Sequence, residues 1–180
     1  MINTSDESEK CAAIHVANMM LAAARTAPKA CGVDLIEAKY LDGDDKLRLA
    51  ATMREIGKEG RTFFIRDAGN IDVCHCVVLI GISVTPRGLN CGLCGAKDCA
   101  SAENVGISCA MSVNDLGIAV GSAVALAMDY RMDNRIMFSA GMAALKQKLF
   151  SDNVRIVFGI GLSTTGKNVF FDRPAFKCHS

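Results

Sequence analysis

Four cysteines within nineteen residues constrain this chain more than anything else in it: Cys91, Cys94, Cys99 and Cys109, in NCGLCGAKDCASAENVGISCA. Their spacing is C-x2-C-x4-C-x9-C. Four soft thiolates in so short a stretch are the donor set of an iron–sulfur cluster or a tetrahedral zinc. A fold that carries them must bring one loop and the start of the next element around a common point. Gly92 and Gly95 directly follow the first two cysteines. Lacking a Cβ, they let the backbone turn sharply and point amide N–H groups at sulfur. Residues 88–110 are therefore expected to form a metal-binding loop, with all four cysteines as ligands.

The spacing also bears on which metal. Zinc sites commonly pair C-x2-C with a second C-x2-C or H-x3-H across a longer spacer. Only the first pair fits here, and the third cysteine comes after four residues. Three near ligands and one further away suit a [4Fe–4S] cubane better. It is neither the bacterial ferredoxin run, whose last cysteine precedes proline, nor the plant type; Ala110 follows Cys109. Zinc stays open as the alternative, with the metal structural or the domain a redox-sensing module without enzymatic activity.

At 180 residues the chain is expected to be a single domain over 1–180 with a substantial core. A net charge of +1 gives no electrostatic footprint for nucleic acid. No run reaches the ~18 apolar residues of a membrane span. MINTSDESEK has no signal-peptide core. Nine cysteines without an export signal point to a reducing cytoplasm.

Along the chain, 5–25 reads as a helix capped by Ser5 or Asp6, 33–40 as a strand, and the stretch from LDGDD to Gly57 as a second helix. Residues 61–70 are ambiguous. Residues 72–84 read as a long central strand, 112–130 as a helix apolar around most of its circumference, and 135–150 as another helix. A strand over 154–162, a turn and a short returning strand over 169–171 complete an α+β domain, helices around a small central sheet. The apolar helix suggests a homodimer, since its face on a monomer would be an exposed patch.

Two resemblances add to this reading. CGLCGAKDC resembles the C-x2-C-G-x3-C core of the four-iron domain of corrinoid iron–sulfur proteins and Rnf-type electron-transfer subunits. Over nearly its whole length the chain resembles an uncharacterised prokaryotic family of ferredoxin-domain-containing proteins. AARTAPKACGVD, FIRDAGNI, the cysteine loop, DLGIAVGSAVALAMDYRMDNRIM and GLSTTGKNVFFDR carry this likeness. It implies cluster binding by the four cysteines and no particular activity.

The scaffold is similar to the flavin-dependent nitroreductases. AARTAPKACGVD is similar to their APSAxNxQPW segment, VNDLGIAVGSAVALAMDYRM to their long interface helix and VRIVFGIGLSTTG to their late strand. That likeness implies an intertwined homodimer with FMN at the interface. The RRSxR-type phosphate motif is missing from the N-terminus, and no Asn or Gln follows Cys31 at the matching places. If FMN is bound, Arg25, Lys167 and Arg173 are the cations available for its phosphate. These features together predict an iron–sulfur redox protein passing single electrons to a bound flavin or a protein partner.

Other motifs read more plainly. GLSTTGKN nearly spells a phosphate-binding loop, but Asn168 has no hydroxyl for magnesium and no helix can follow. A β-turn with Gly166 at positive φ is expected instead. Cys74 and Cys76 flank His75 on the predicted strand, which puts both sulfurs on one face as core residues or a second metal pair. Cys11 is read as a packing residue, His15 as a core or interface histidine, and Cys31 as a candidate reactive thiol. Cys178 and His179 fall in the C-terminal tail.

Overall fold

The computed structural model describes residue 2 and residues 4–171. Its first helix, α1 (Ser5–Thr26), is capped by Thr4 rather than by Ser5 or Asp6. The Thr4 hydroxyl accepts the Glu7 N–H at 3.3 Å, and the Glu7 carboxylate accepts the Thr4 N–H at 3.0 Å. This reciprocal box satisfies two otherwise unpaired donors. A tight turn at Ala30–Gly32 leads to β1 (Ile36–Leu41), then α2 (Gly43–Lys58), α3 (Thr62–Val73) and β2 (Cys76–Ser83). The cysteine loop follows and includes a short helix, α4 (Cys99–Asn104). Next come α5 (Ala110–Asp129), β3 (Asp133–Met137), α6 (Phe138–Lys146) and β4 (Val154–Ser163).

The four strands form one antiparallel sheet in the order β1-β2-β4-β3. β2 is central and every one of its residues is buried. Its alternate side chains serve two cores. Cys76, Val78, Ile80 and Ile82 join α1 and α5 on one face, while Val77 and Leu79 join α2, α3 and α6 on the other. α1 and α5 meet through alanines (Ala13, Ala17, Ala119, Ala123), which lets two long helices approach closely over the sheet. The result is an α+β domain with helices on both sides of its sheet.

Several sequence expectations are corrected. Residues 72 and 73 belong to α3, so the central strand starts at Cys76; RTFFIRDAGN, ambiguous by pattern, is helical. The helix expected over 135–150 is a strand followed by a helix, because Asp133–Met137 pairs with Gly159–Ser163 of β4 before the chain turns. Residues 169–171 form a turn, and Gly166 is not among the positive-φ glycines. By length and composition α5 does meet the requirement for a membrane span, contrary to the expectation. Here it lies along α1 with Asp115, Leu116, Ala119, Val120 and Ala123 buried, so its apolar character fits a core helix.

The second core depends on glycine. A Cβ on Gly141 of α6 would stand 1.7 Å from the Val157 carbonyl oxygen, and one on Gly159 would stand 2.6 Å from Ala140 Cβ. α6 therefore lies directly on the β4 backbone. Gly141→Ala is expected to destabilise the domain by about 3 kcal/mol or more, since backbone cannot yield as a side chain can. Gly69→Ala, where a Cβ meets nothing within 4 Å in the middle of α3, is expected to stabilise by up to about 1 kcal/mol. Chemical denaturation of the two variants measures both.

Candidate metal centre

All four expected ligands line a single small cavity of about 10 Å³, together with Pro86, Asn90, Asp98 and Ala102. Three segments bring them there: the loop carries Cys91 and Cys94, Cys99 opens α4, and Cys109 precedes the first turn of α5. Exposure falls along the series. Cys91 is exposed, Cys94 and Cys99 are half-buried, and Cys109 is buried.

Local geometry explains how the loop closes. Gly92 and Gly95 have φ of 70° and 82°, the left-handed region that glycine enters without strain, and the Gly95 N–H donates to the Gly92 carbonyl at 2.9 Å. Asn90, at φ 47°, accepts the Cys99 N–H on its side-chain oxygen at 2.8 Å and donates its own N–H to the Cys99 sulfur at 3.3 Å. One residue thus ties the first and third cysteines together. Asp98 caps α4 by accepting the Ser101 N–H at 2.8 Å, which holds its carboxyl below the ordinary range.

Cys109 is the inner anchor. Burial opposes its thiolate, but the N–H groups of Ser112, Arg87 and Met111 outweigh that and lower its pKa. A thiolate at the start of a 20-residue helix is also favoured by the helix dipole. The Cys109 N–H donates to the Val84 carbonyl at 3.1 Å, and the Ser112 hydroxyl donates to the Thr85 carbonyl at 2.9 Å. Beside them Arg87 pairs with Asp115 at 2.7 Å, each side chain only 2% exposed. Asp115 also accepts the Ala30 N–H at 3.0 Å. Asp115 reads from sequence as an ordinary cap or ion-pair residue. Arg87 carries no sequence signal, because its partner lies 28 positions away.

The donor set fits an iron–sulfur cluster. Among the described residues no three His, Cys, Asp or Glu side chains stand close enough together to hold a metal ion as they are placed; the four thiols line one cavity.

The cations expected to hold a flavin phosphate do not assemble within one chain. Arg25 pairs with Asp34 at 2.5 Å and donates to the Ile36 carbonyl at 2.9 Å, at the end of the sheet where Ile36 faces Ile82. Lys167 follows β4 at the opposite end, where Leu162 faces Cys76. The eight residues of β2 separate these ends by about 25 Å. Arg173 lies outside the described residues, as do Cys178 and His179.

The remaining thiols are also settled by position. Cys74 ends α3 and joins the second core, while Cys76 joins the first, so the two sulfurs lie on opposite sides of the sheet and form no second metal pair. Cys11 and His15 are exposed on α1, not packed. Cys31 is exposed at φ 58°, with its sulfur 3.9 Å from the Arg87 carbonyl. Burial pushes the Cys74 thiol up to about 11 and the Cys76 thiol up to about 12. Iodoacetamide at pH 8 is therefore expected to modify Cys11 and Cys31 and to spare Cys74 and Cys76 until the domain is unfolded, as peptide mass spectrometry reads. Because these two thiols ionise later when folded, stability should fall as pH rises above the ordinary thiol value of 9.0.

With this geometry in view, comparison with known proteins is informative. A family profile described as "Uncharacterized protein containing a ferredoxin domain (DUF2148)" matches residues 105–173, a span that includes Cys109 of the four ligands. An uncharacterized protein of Archaeoglobus fulgidus is 40% identical over 168 residues, covering 88% of this chain and 90% of the relative. Among solved structures, an FMN-dependent nitroreductase from Clostridium difficile aligns with TM-score 0.55 at 14% identity, over 91% of this chain and 80% of that one. A nitroreductase with bound FMN from Desulfitobacterium hafniense aligns with TM-score 0.57 at 10% identity, over 93% and 81%. At such identities the likeness is one of fold, and the fold is that of the nitroreductases. The chain itself belongs to the family of uncharacterized proteins containing a ferredoxin domain.

Proposed function

We propose that the chain is an iron–sulfur redox protein that holds one [4Fe–4S] cluster on Cys91, Cys94, Cys99 and Cys109 and passes single electrons to a protein partner. The observation that carries this reading is the shared cavity: four thiols from three segments line it, and the one carboxylate beside them, Asp98, is engaged in capping α4. The family's ferredoxin domain supports it. When bound, the cluster supplies one-electron chemistry at a potential tuned by burial and hydrogen bonds. The chain's own part is to hold the thiolates, with Cys109 fixed by helix N–H groups and Cys99 by Asn90. Cys91, the exposed ligand, marks the side from which a partner approaches.

FMN, named in the D. hafniense structure, has no place in this reading within one chain, because Arg25 is engaged by Asp34 and lies far from Lys167. Anaerobic purification followed by iron, sulfide, zinc and flavin analysis tests the whole assignment. About four irons and four sulfides per chain are expected; zinc without sulfide would make this a structural-metal domain instead. Cys94→Ser should strongly reduce iron and sulfide content, and an unchanged content would remove Cys94 from the ligand set.

The active form in this proposal is a homodimer built on the outer face of α5. Ile118 and Met128 are 39% and 62% exposed there, and Gly117 and Gly121 have open space where a Cβ would lie. Such a face lets a second backbone approach closely. Sedimentation should give the mass of two chains. Gly121→Leu, at a position where a Cβ meets nothing within 4 Å in one chain, should give the mass of one. A single-chain mass for the unsubstituted protein would sink the dimer.

A further inference from the structure

We propose that the buried Arg87–Asp115 ion pair sets the reduction potential of the metal centre, Arg87 raising it and Asp115 lowering it. This rests on the iron–sulfur reading above. Both residues are tied to the inner ligand. The Arg87 amide donates to the Cys109 thiolate, and Asp115 lies six residues further along the helix that Cys109 opens. Six residues advance about 9 Å along a helix axis. Both charges therefore sit within about a nanometre of the cavity, at 2% exposure, where water and salt screen little.

The pair is not arranged as a purely structural one would be. The guanidinium bonds to Asp115 through one nitrogen at 2.7 Å, while its Nε and Nη1 groups are buried without an acceptor. A buried ion pair is a poor source of stability when apolar side chains of like volume would serve as well, and an incompletely bonded one is poorer still. Its placement makes sense if the charge itself is used. Adding one electron to the centre adds one unit of negative charge and makes or breaks no bond. A cation fixed nearby favours that state, and an anion opposes it.

The two halves of the pair differ in how they respond to loss of the other. Arg87 keeps its charge in any surroundings, so Asp115→Asn leaves a full, uncompensated cation while the amide oxygen still accepts the Ala30 N–H. Arg87→Met removes the cation and the packing of its long side chain together, so its shift reads charge less directly. Asp115→Asn is therefore the decisive variant.

The experiment is a dye-mediated redox titration of anaerobically purified, cluster-loaded protein, with iron and sulfide measured on each sample. Asp115→Asn is expected to titrate at a higher potential than the unsubstituted chain, Arg87→Met at a lower one, and the double variant between them. An unchanged potential in fully loaded Asp115→Asn overturns the proposal. So do shifts of the same sign in both single variants, which would report packing and not charge. Failure of every variant to fold would also overturn it, since the pair would then be holding the fold. Unsubstituted protein with neither iron nor sulfide would instead bring down the iron–sulfur reading, and this proposal with it.

Discussion

The hydrogen bond from the Cys109 amide to the Val84 carbonyl, 3.1 Å long, joins the last residue of the cysteine loop to the chain just beyond the central strand. Around it, segment 84–87 and the first turns of α5 are joined by the Ser112–Thr85 hydrogen bond, with the Arg87–Asp115 pair lying beside it. The cavity exists because this junction is rigid. If β2 and α5 parted by a few ångströms, Cys109 would leave the wall that the other three cysteines share. The sheet and the two alanine-faced helices serve the site mainly by holding that junction still.

What could be read from the chain beforehand divides along physical lines. Periodicity revealed the long helices because α1 and α5 each bury one stripe, and β2 because both its faces are covered. The gathering of Cys91, Cys94, Cys99 and Cys109 around one cavity was legible because their spacing keeps them on one loop and the element after it. β3 was not. Asp133–Met137 is an edge strand of five residues with mostly half-buried side chains, so its pattern is carried by pairing with β4 and not by its own hydrophobicity. The same holds for Cys74 and Cys76. An alternating pattern assigns them one face, and only the end of α3 between them and the sheet sets them apart. Arg87 lies beyond sequence reasoning because a contact 28 residues away leaves no local trace.

The likeness to nitroreductases is a likeness of scaffold. Fold resemblance at 10–14% identity says how strands and helices are laid out and little about what they carry. Here the cations that a flavin phosphate would require sit at opposite ends of the sheet, one of them engaged by Asp34. The four cysteines of the loop line one cavity where β2 gives way to α5.

Neither of the two hydrophobic cores takes a buried residue from the stretch between β2 and α5; both are built from the sheet and its covering helices. The domain can therefore fold completely before any metal arrives, unlike a zinc finger, whose ligands are its core. Cellular machinery that delivers a preassembled cluster would meet a finished protein with one thiol exposed, two half-open and one buried. Loading would then proceed from the outside inward, and damage by oxygen would begin at that same outer edge.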